Sequence, residues 1–144
     1  MNKLILYIII ILLFCGWKAE DFNNPKINYQ KIIMIESSGN RLVYNENSNA
    51  IGLMGITPIC LKHFNKANNK KYKLGELFIE EINIEVGVWY VGWIKEQLRE
   101  MKLLTVDNIL ICYNWGLGNF KKYIKGEKKL PEETEDYLWK YYEK

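Results

Sequence analysis

IIMIESSGNRLVYNENSNAIGLMGITP, from Ile32 to Pro58, is the stretch whose reading decides the fold. An apolar run ends in one carboxylate, Glu36, and Ser37-Ser38-Gly39-Asn40 follows at once. Glycine accepts the left-handed backbone of a helix C-terminus, while Ser and Asn compete for backbone hydrogen bonds, so the run predicts a helix stopping at Glu36. An Asn/Ser-rich loop, Asn45 to Asn49, then leads into Gly52-Leu53-Met54-Gly55. Thr57-Pro58 opens another helix, with threonine as cap and proline at the first helical position. In its last turn Glu36 meets the negative end of the helix dipole, which favours the neutral acid, and burial pushes the same way. A glutamate kept protonated near neutral pH is a general acid. A carboxylate at a helix end is also an ordinary solvated group, so the chemical reading of Glu36 depends on the rest of the chain.

Upstream, Asn24-Pro25 reads as a cap and first helical residue, and Ile27, Ile32, Ile33 and Ile35 form a stripe. The helix carrying Glu36 is therefore expected over about Pro25 to Glu36. Downstream, the Thr57-Pro58 helix is expected to reach about Ala67 and to stop at Asn68-Asn69-Lys70. The longest periodic segment runs from about Phe78 to Met101, with Ile82, Val86, Trp89, Trp93 and Ile94 on one stripe and Asn83, Gly87 and Tyr90 on the adjoining one. It predicts a central helix. Glycine inside a helix costs roughly 1 kcal/mol against alanine, so Gly87 and Gly92 predict close approach of another backbone. Thr105 caps a helix through Val106, Ile109, Leu110 and Tyr113 that ends at Asn114-Trp115-Gly116. A short turn, Phe120 to Lys125, closes at Gly126, and Leu130-Pro131-Glu132-Glu133 begins a last helix with acids where the dipole favours them. No alternating strand pattern stands out. The expectation is an all-α single domain of about six helices, one of them central, without repeats or long linkers.

With 144 residues, 49% apolar and 26% charged, the chain is sized for one small globular domain. Its start differs from the rest. Lys3 precedes an unbroken apolar run from Leu4 to Phe14, and Cys15, Gly16 and Trp17 lead into charge at Lys18, Glu20 and Asp21. At about 1.5 Å per residue this run covers only about half the hydrocarbon core of a bilayer, which suits a secretory signal better than a spanning helix. Residues 1–19 read as a signal peptide or N-terminal membrane anchor, and 23–144 as the folded domain. Trp17 stands where a small residue is preferred for cleavage after Ala19, and bulky Phe14 precedes Cys15. Cleavage, anchoring by residues 4–17 and lipidation at Cys15 all stay open. Cys60 and Cys112 lie in apolar helical stretches; export permits a disulfide, and two buried thiols are the plainer reading. One His and two domain cysteines make no metal-ligand set, and no glycine-rich phosphate loop is present, so no metal or cofactor is expected. The net charge of +3 comes with lysines dispersed along the chain, which argues against a nucleic-acid partner.

Five pieces stand in order: Glu36-Ser37-Ser38-Gly39-Asn40; Ser48-Asn49-Ala50-Ile51-Gly52-Leu53-Met54-Gly55-Ile56-Thr57-Pro58; Asn83-Ile84 with Gly87 and Tyr90; Tyr113-Asn114-Trp115-Gly116-Leu117-Gly118-Asn119; and Pro131-Glu132-Glu133-Thr134 with Tyr137. Together they resemble the soluble-type lytic transglycosylases (SLT domain), relatives of goose-type lysozyme that cut bacterial peptidoglycan, over about Pro25 to Tyr142. The resemblance implies a lysozyme-like helical fold and a single catalytic glutamate, matched by Glu36. It implies cleavage of the β-1,4 bond between N-acetylmuramic acid and N-acetylglucosamine. Glu36 would protonate the glycosidic oxygen and then take the proton of the muramoyl 6-hydroxyl, which closes a 1,6-anhydro ring. By position, Ser48 matches a serine that contacts the sugar and Tyr137 a tyrosine near the acid. Gly52, Leu53 and Met54 would line one side of the cleft, and Tyr113 and Asn114 the other. Trp115, beside Gly116 in a predicted loop, is the aromatic best placed to stack on a sugar ring.

Two departures from the pattern stand out. The family usually writes Gly-Leu-Met-Gln, and here Gly55 ends the piece; the loop before Gly52 lacks the family's other serine and carries Glu46 near that place. Neither is expected to touch Glu36, so affinity should change more than chemistry. Ordinary glycosidases need a second carboxylate, and the candidates Glu46, Glu76 and Glu85 lie in none of the family's motifs. The partners implied are peptidoglycan glycan strands in the periplasm or cell envelope. So small a domain, without a separate wall-binding module, also suits local opening of the wall for a secretion apparatus. The alternatives are a hydrolytic muramidase and a non-catalytic wall-binding or assembly protein that keeps the fold.

Overall fold

A computed structural model describes residues 24–143, so the readings of the leader, of Cys15 and of residues 1–19 fall outside the described residues. Among the described residues six α-helices follow in order: α1 Tyr29–Ser37, α2 Pro58–Asn68, α3 Glu80–Glu100, α4 Val106–Trp115, α5 Leu117–Ile124 and α6 Glu132–Glu143. A 3-10 turn, Leu74–Phe78, precedes α3, and a hairpin of β1 Tyr44–Asn45 and β2 Ala50–Ile51 joins α1 to α2. The molecule is all-α with α3 central, packed against α2, α4 and the 3-10 turn.

Most helix ends obey their caps. Thr57 Oγ1 accepts the Cys60 N–H at 3.3 Å, and Thr105 Oγ1 accepts the Asn108 N–H at 3.2 Å, each satisfying a donor that the first turn leaves orphaned. α1 departs from expectation. Its cap is Asn28, not Asn24, with Oδ1 accepting the Lys31 N–H at 3.2 Å. Pro25 instead offers its carbonyl to Lys95 Nζ of α3 at 2.8 Å, so this stretch packs on α3 as extended chain. Tyr141 of α6 fixes the start of α1, its hydroxyl accepting the Asn28 N–H at 2.8 Å and its carbonyl accepting Lys31 Nζ at 2.9 Å. The far end stops in left-handed Ser38 (φ 53°), whose N–H bonds the Met34 carbonyl.

Two further expectations are corrected. The Asn/Ser loop contains paired strands, Tyr44 opposite Ile51 and Asn45 opposite Ala50, too short to show any alternation. The short turn expected at Phe120 to Lys125 belongs to α5.

The buried seam of α3 is Asn83, Val86, Gly87, Val91, Ile94 and Leu98. Trp89 and Trp93 stay half-buried beside it, with the His63 ring edge-on to both at 5.0 and 4.7 Å, because side chains this large seldom go fully inside. A Cβ at Gly87 would stand 2.4 Å from Met54 Sδ, so the close approach is by a side chain rather than by backbone. Gly92 faces open space, and no approach occurs there. Met54, Ile32, Ile56, Phe64, Ile109, Leu110 and Phe120 complete the core with this seam. Cys60 and Cys112 are buried free thiols, both pushed up to about 12 by burial. Among the described residues no helix is long and apolar enough to cross a membrane.

Candidate active site

The last turn of α1 brings Glu36 to the wall of a cavity of about 500 Å³, a size typical of ligand sites. The hairpin supplies Asn45, Asn47, Ser48 and Ala50 to the same cavity, and the following turn supplies Gly55, Ile56 and Thr57. Tyr90 of α3, Tyr113, Asn114 and Trp115 of α4, Glu133 of α6 and Cys60 of α2 belong to the lining as well.

The support beneath this wall is polar and buried. Asn83 donates from Nδ2 to the carbonyls of Ile51 and Leu77, both at 2.8 Å, and accepts the Met54 N–H at 2.8 Å, so every hydrogen of its amide is used. The Tyr113 hydroxyl donates to the Met54 carbonyl at 2.6 Å. Ser37 Oγ lies 3.0 Å from the Ile33 carbonyl and 2.9 Å from the Leu53 carbonyl, its single proton shared between them, and ties the acid-bearing helix end to the turn. Thr134 Oγ1 donates to Asn114 Oδ1 at 2.8 Å and seats the start of α6 on the end of α4.

Glu36 is thereby held in a site that resists charge. Its carboxyl is pushed up to about 7, first by burial and further by Glu133; Tyr137 opposes the rise. The Tyr137 hydroxyl is buried beside this carboxyl and meets no partner at full hydrogen-bonding geometry among the described residues. Burial and the Glu36 charge keep both Tyr113 and Tyr137 well above the usual phenol range, so both are neutral donors at ordinary pH. A carboxyl poised near 7 can give a proton and take one back at neutral pH.

Of the residues singled out from sequence, Glu36, Ser48, Tyr113 and Asn114 line the cavity, as does half-buried Trp115. Gly52, Leu53 and Met54 do not. They are buried behind the wall as its frame, and the part of that piece that lines the cavity is Gly55-Ile56-Thr57. Tyr137 stands behind Glu36 rather than on the cavity surface. Gly55 corrects an expectation: it lies directly against the Glu36 carboxyl. The second-carboxylate candidates are placed elsewhere. Glu76 accepts the Lys73 N–H at 2.7 Å, Glu85 accepts the Tyr72 hydroxyl at 2.9 Å, and exposed Glu46 is absent from the lining. The carboxylate that shares the cavity is Glu133, in the first turn of α6, and the sequence signal for it was its place in the Pro131-Glu132-Glu133-Thr134 piece. Among the described residues no cluster of three His, Cys, Asp or Glu is arranged to hold a metal ion.

A polar cleft with one desolvated carboxyl at a helix end, framed by helices around a central one, is the arrangement of a lysozyme-like protein. Residues 17–135 match the Transglycosylase SLT domain, and the chain belongs to that family. Among solved structures it is similar to the 70 kDa soluble lytic transglycosylase of Escherichia coli, with a TM-score of 0.59 and 23% identity over 71% of this chain and 16% of that one. At that identity the likeness concerns the fold, which is the lysozyme-like all-α fold of the SLT domain. The chain thus spans under a fifth of the length of that protein. No curated protein matches the sequence.

Proposed function

We propose that this protein is a peptidoglycan lytic transglycosylase, cleaving the β-1,4 bond between N-acetylmuramic acid and N-acetylglucosamine and leaving a 1,6-anhydromuramoyl end. The observation that carries the reading is the Glu36 carboxyl, pushed up to about 7 inside a polar cavity. Protonated, Glu36 donates to the glycosidic oxygen as the C–O bond breaks toward an oxocarbenium-like state. Ionised, it accepts the proton of the muramoyl 6-hydroxyl, whose oxygen bonds the anomeric carbon. The proton gained returns Glu36 to its starting form, and no water is consumed. Holding the sugar so that its own hydroxyl attacks is a proximity effect. Ser48, Asn114 and the Trp115 ring are the groups we assign to sugar binding, Tyr113 and Tyr137 flank the acid, and Gly52, Leu53 and Met54 hold the wall in place. SLT-family membership supports export to the envelope, with residues 1–19 as signal or anchor, 23–144 as the domain, and glycan strands as partner.

A second reading, hydrolysis as a muramidase, draws on Glu133, a carboxylate in the same cavity that can serve as base for water. Digestion of purified sacculi followed by mass spectrometry of the muropeptides decides between them. Anhydro products, each lighter by one water, are expected, and they should vanish with Glu36→Gln; reducing ends alone would replace the first reading with the second.

A further inference from the structure

Gly55 has no side chain, and the Glu36 carboxyl fills the gap. A Cβ built at Gly55 would stand 2.4 Å from Glu36 Oε2, 3.1 Å from its Cδ and 3.6 Å from its Cβ, so all three nearest atoms belong to the acid. Neither backbone is free to give way, so an added side chain would have to move the Glu36 carboxyl. The Gly55 backbone is left-handed (φ 60°), its N–H bonds the Gly52 carbonyl at 3.2 Å, and Ile56 exchanges two bonds of 3.0 Å with Ile51. Met54 on its other flank is held by Asn83 and Tyr113. The acid-bearing helix end is tied to this same turn through Ser37 and the Leu53 carbonyl.

We propose that Gly55 is a positioning residue for Glu36: its missing side chain opens a recess that holds the carboxyl withdrawn from solvent against the Gly52–Ile56 backbone. The recess rests on the reading of Glu36 as the acid and adds a residue that acts only through it. The titratable groups around Glu36 are Tyr137 and Glu133 on α6 and Tyr113 on α4, with Cys60 of α2 and Tyr90 of α3 on the same cavity wall. Glu133 raises the carboxyl and Tyr137 lowers it, and a change at Gly55 alters neither residue. Its effect reaches Glu36 by displacing the carboxyl toward water, where the charged form is favoured.

The test is a pH titration of the Glu36 carboxyl carbon by NMR in wild type, Gly55→Ala and Gly126→Ala. Gly126 also has a positive φ, 75°, but a Cβ there meets nothing within 4 Å, so its alanine carries the backbone strain without the contact. Wild type and Gly126→Ala should titrate near 7, and Gly55→Ala should move toward 4.5. On sacculi, Gly55→Ala should lose about tenfold or more in kcat, with KM within about twofold, and the alkaline limb of its rate profile should shift to lower pH. A folded Gly55→Ala that titrates as wild type overturns the proposal. Should Gly55→Ala fail to fold, NOE cross-peaks in wild type between the Glu36 side-chain methylenes and the Gly55 α protons decide: their presence supports the recess, and their absence overturns it. A wild type that shows the shifted titration and these cross-peaks but leaves sacculi uncut supports the recess while sinking the proposed activity.

Discussion

The turn from Gly52 to Ile56 and the hairpin tip from Asn45 to Asn49 are near neighbours in sequence and build one wall of the cavity, yet they are held by opposite means. Hydrogen bonds reach the turn from three helices, through Ser37 of α1, Asn83 of α3 and Tyr113 of α4. Among the described residues the side-chain bonds of the tip stay within the hairpin. Asn45 Oδ1 takes the N–H groups of Asn47 and Ser48, Ser48 Oγ takes the Ala50 N–H, and the Tyr44 hydroxyl donates to Asn49, all of it exposed. Rigidity is thus concentrated against the acid, where a small displacement alters its charge state. The rim that meets solvent is left to local bonds, the kind of segment that opens first.

Breaking the rigid side should cost most at Asn83. Asn83→Ala leaves the Met54 N–H and the Leu77 carbonyl without partners in the core, while the Ile51 carbonyl keeps the Ile56 N–H, and at about 1–3 kcal/mol per orphaned group a loss of about 2–6 kcal/mol is expected in urea unfolding. Next comes the strain that Glu36 places on this region. Its folded carboxyl titrates at about 7 against 4.5 for the unconstrained group, so its protonation favours the folded state. That contribution is complete below 4.5 and lost as pH rises through 7. Glu36→Gln should therefore match wild type near about pH 4 and exceed it near about pH 9 by on the order of 2–3 kcal/mol, read as the gap between two melting curves. Ser37→Ala removes the tie to Leu53 and should lower stability by about 1–2 kcal/mol, as a shifted urea midpoint with an unchanged slope. On the hairpin side Tyr44→Phe deletes one exposed bond and should change stability by less than about 0.5 kcal/mol. A large loss there would erase the contrast between tip and turn.

What was legible in the sequence follows the same division. Glu36 at a helix end, the Thr57 and Thr105 caps and the long central helix could be read because each is announced by local residues: stop signals, side-chain caps and period. α1 starts later than its sequence suggests because Asn24-Pro25 and Asn28 offer similar caps, and Tyr141 of α6, far along the chain, decides between them. The hairpin gave no sign, since strands of two residues are too short to show an alternation. Asn83 was visible as a motif residue but not as the amide that holds three backbone groups. Glu133 looked like an ordinary first-turn acid until α6 packed beside α1 and turned it into the cavity. Gly55 stands out in the sequence as a departure that should alter affinity, while its contact is with Glu36, which no local pattern reveals.

Whether Glu36 is a buried acid working at neutral pH is decided by the rate of glycan cleavage on purified sacculi as a function of pH. Wild type should lose activity as pH rises through about 7, and Glu36→Gln should fall by about 100-fold or more at every pH. A rate that already falls near 4.5, or a Glu36→Gln variant that still cleaves, would contradict it.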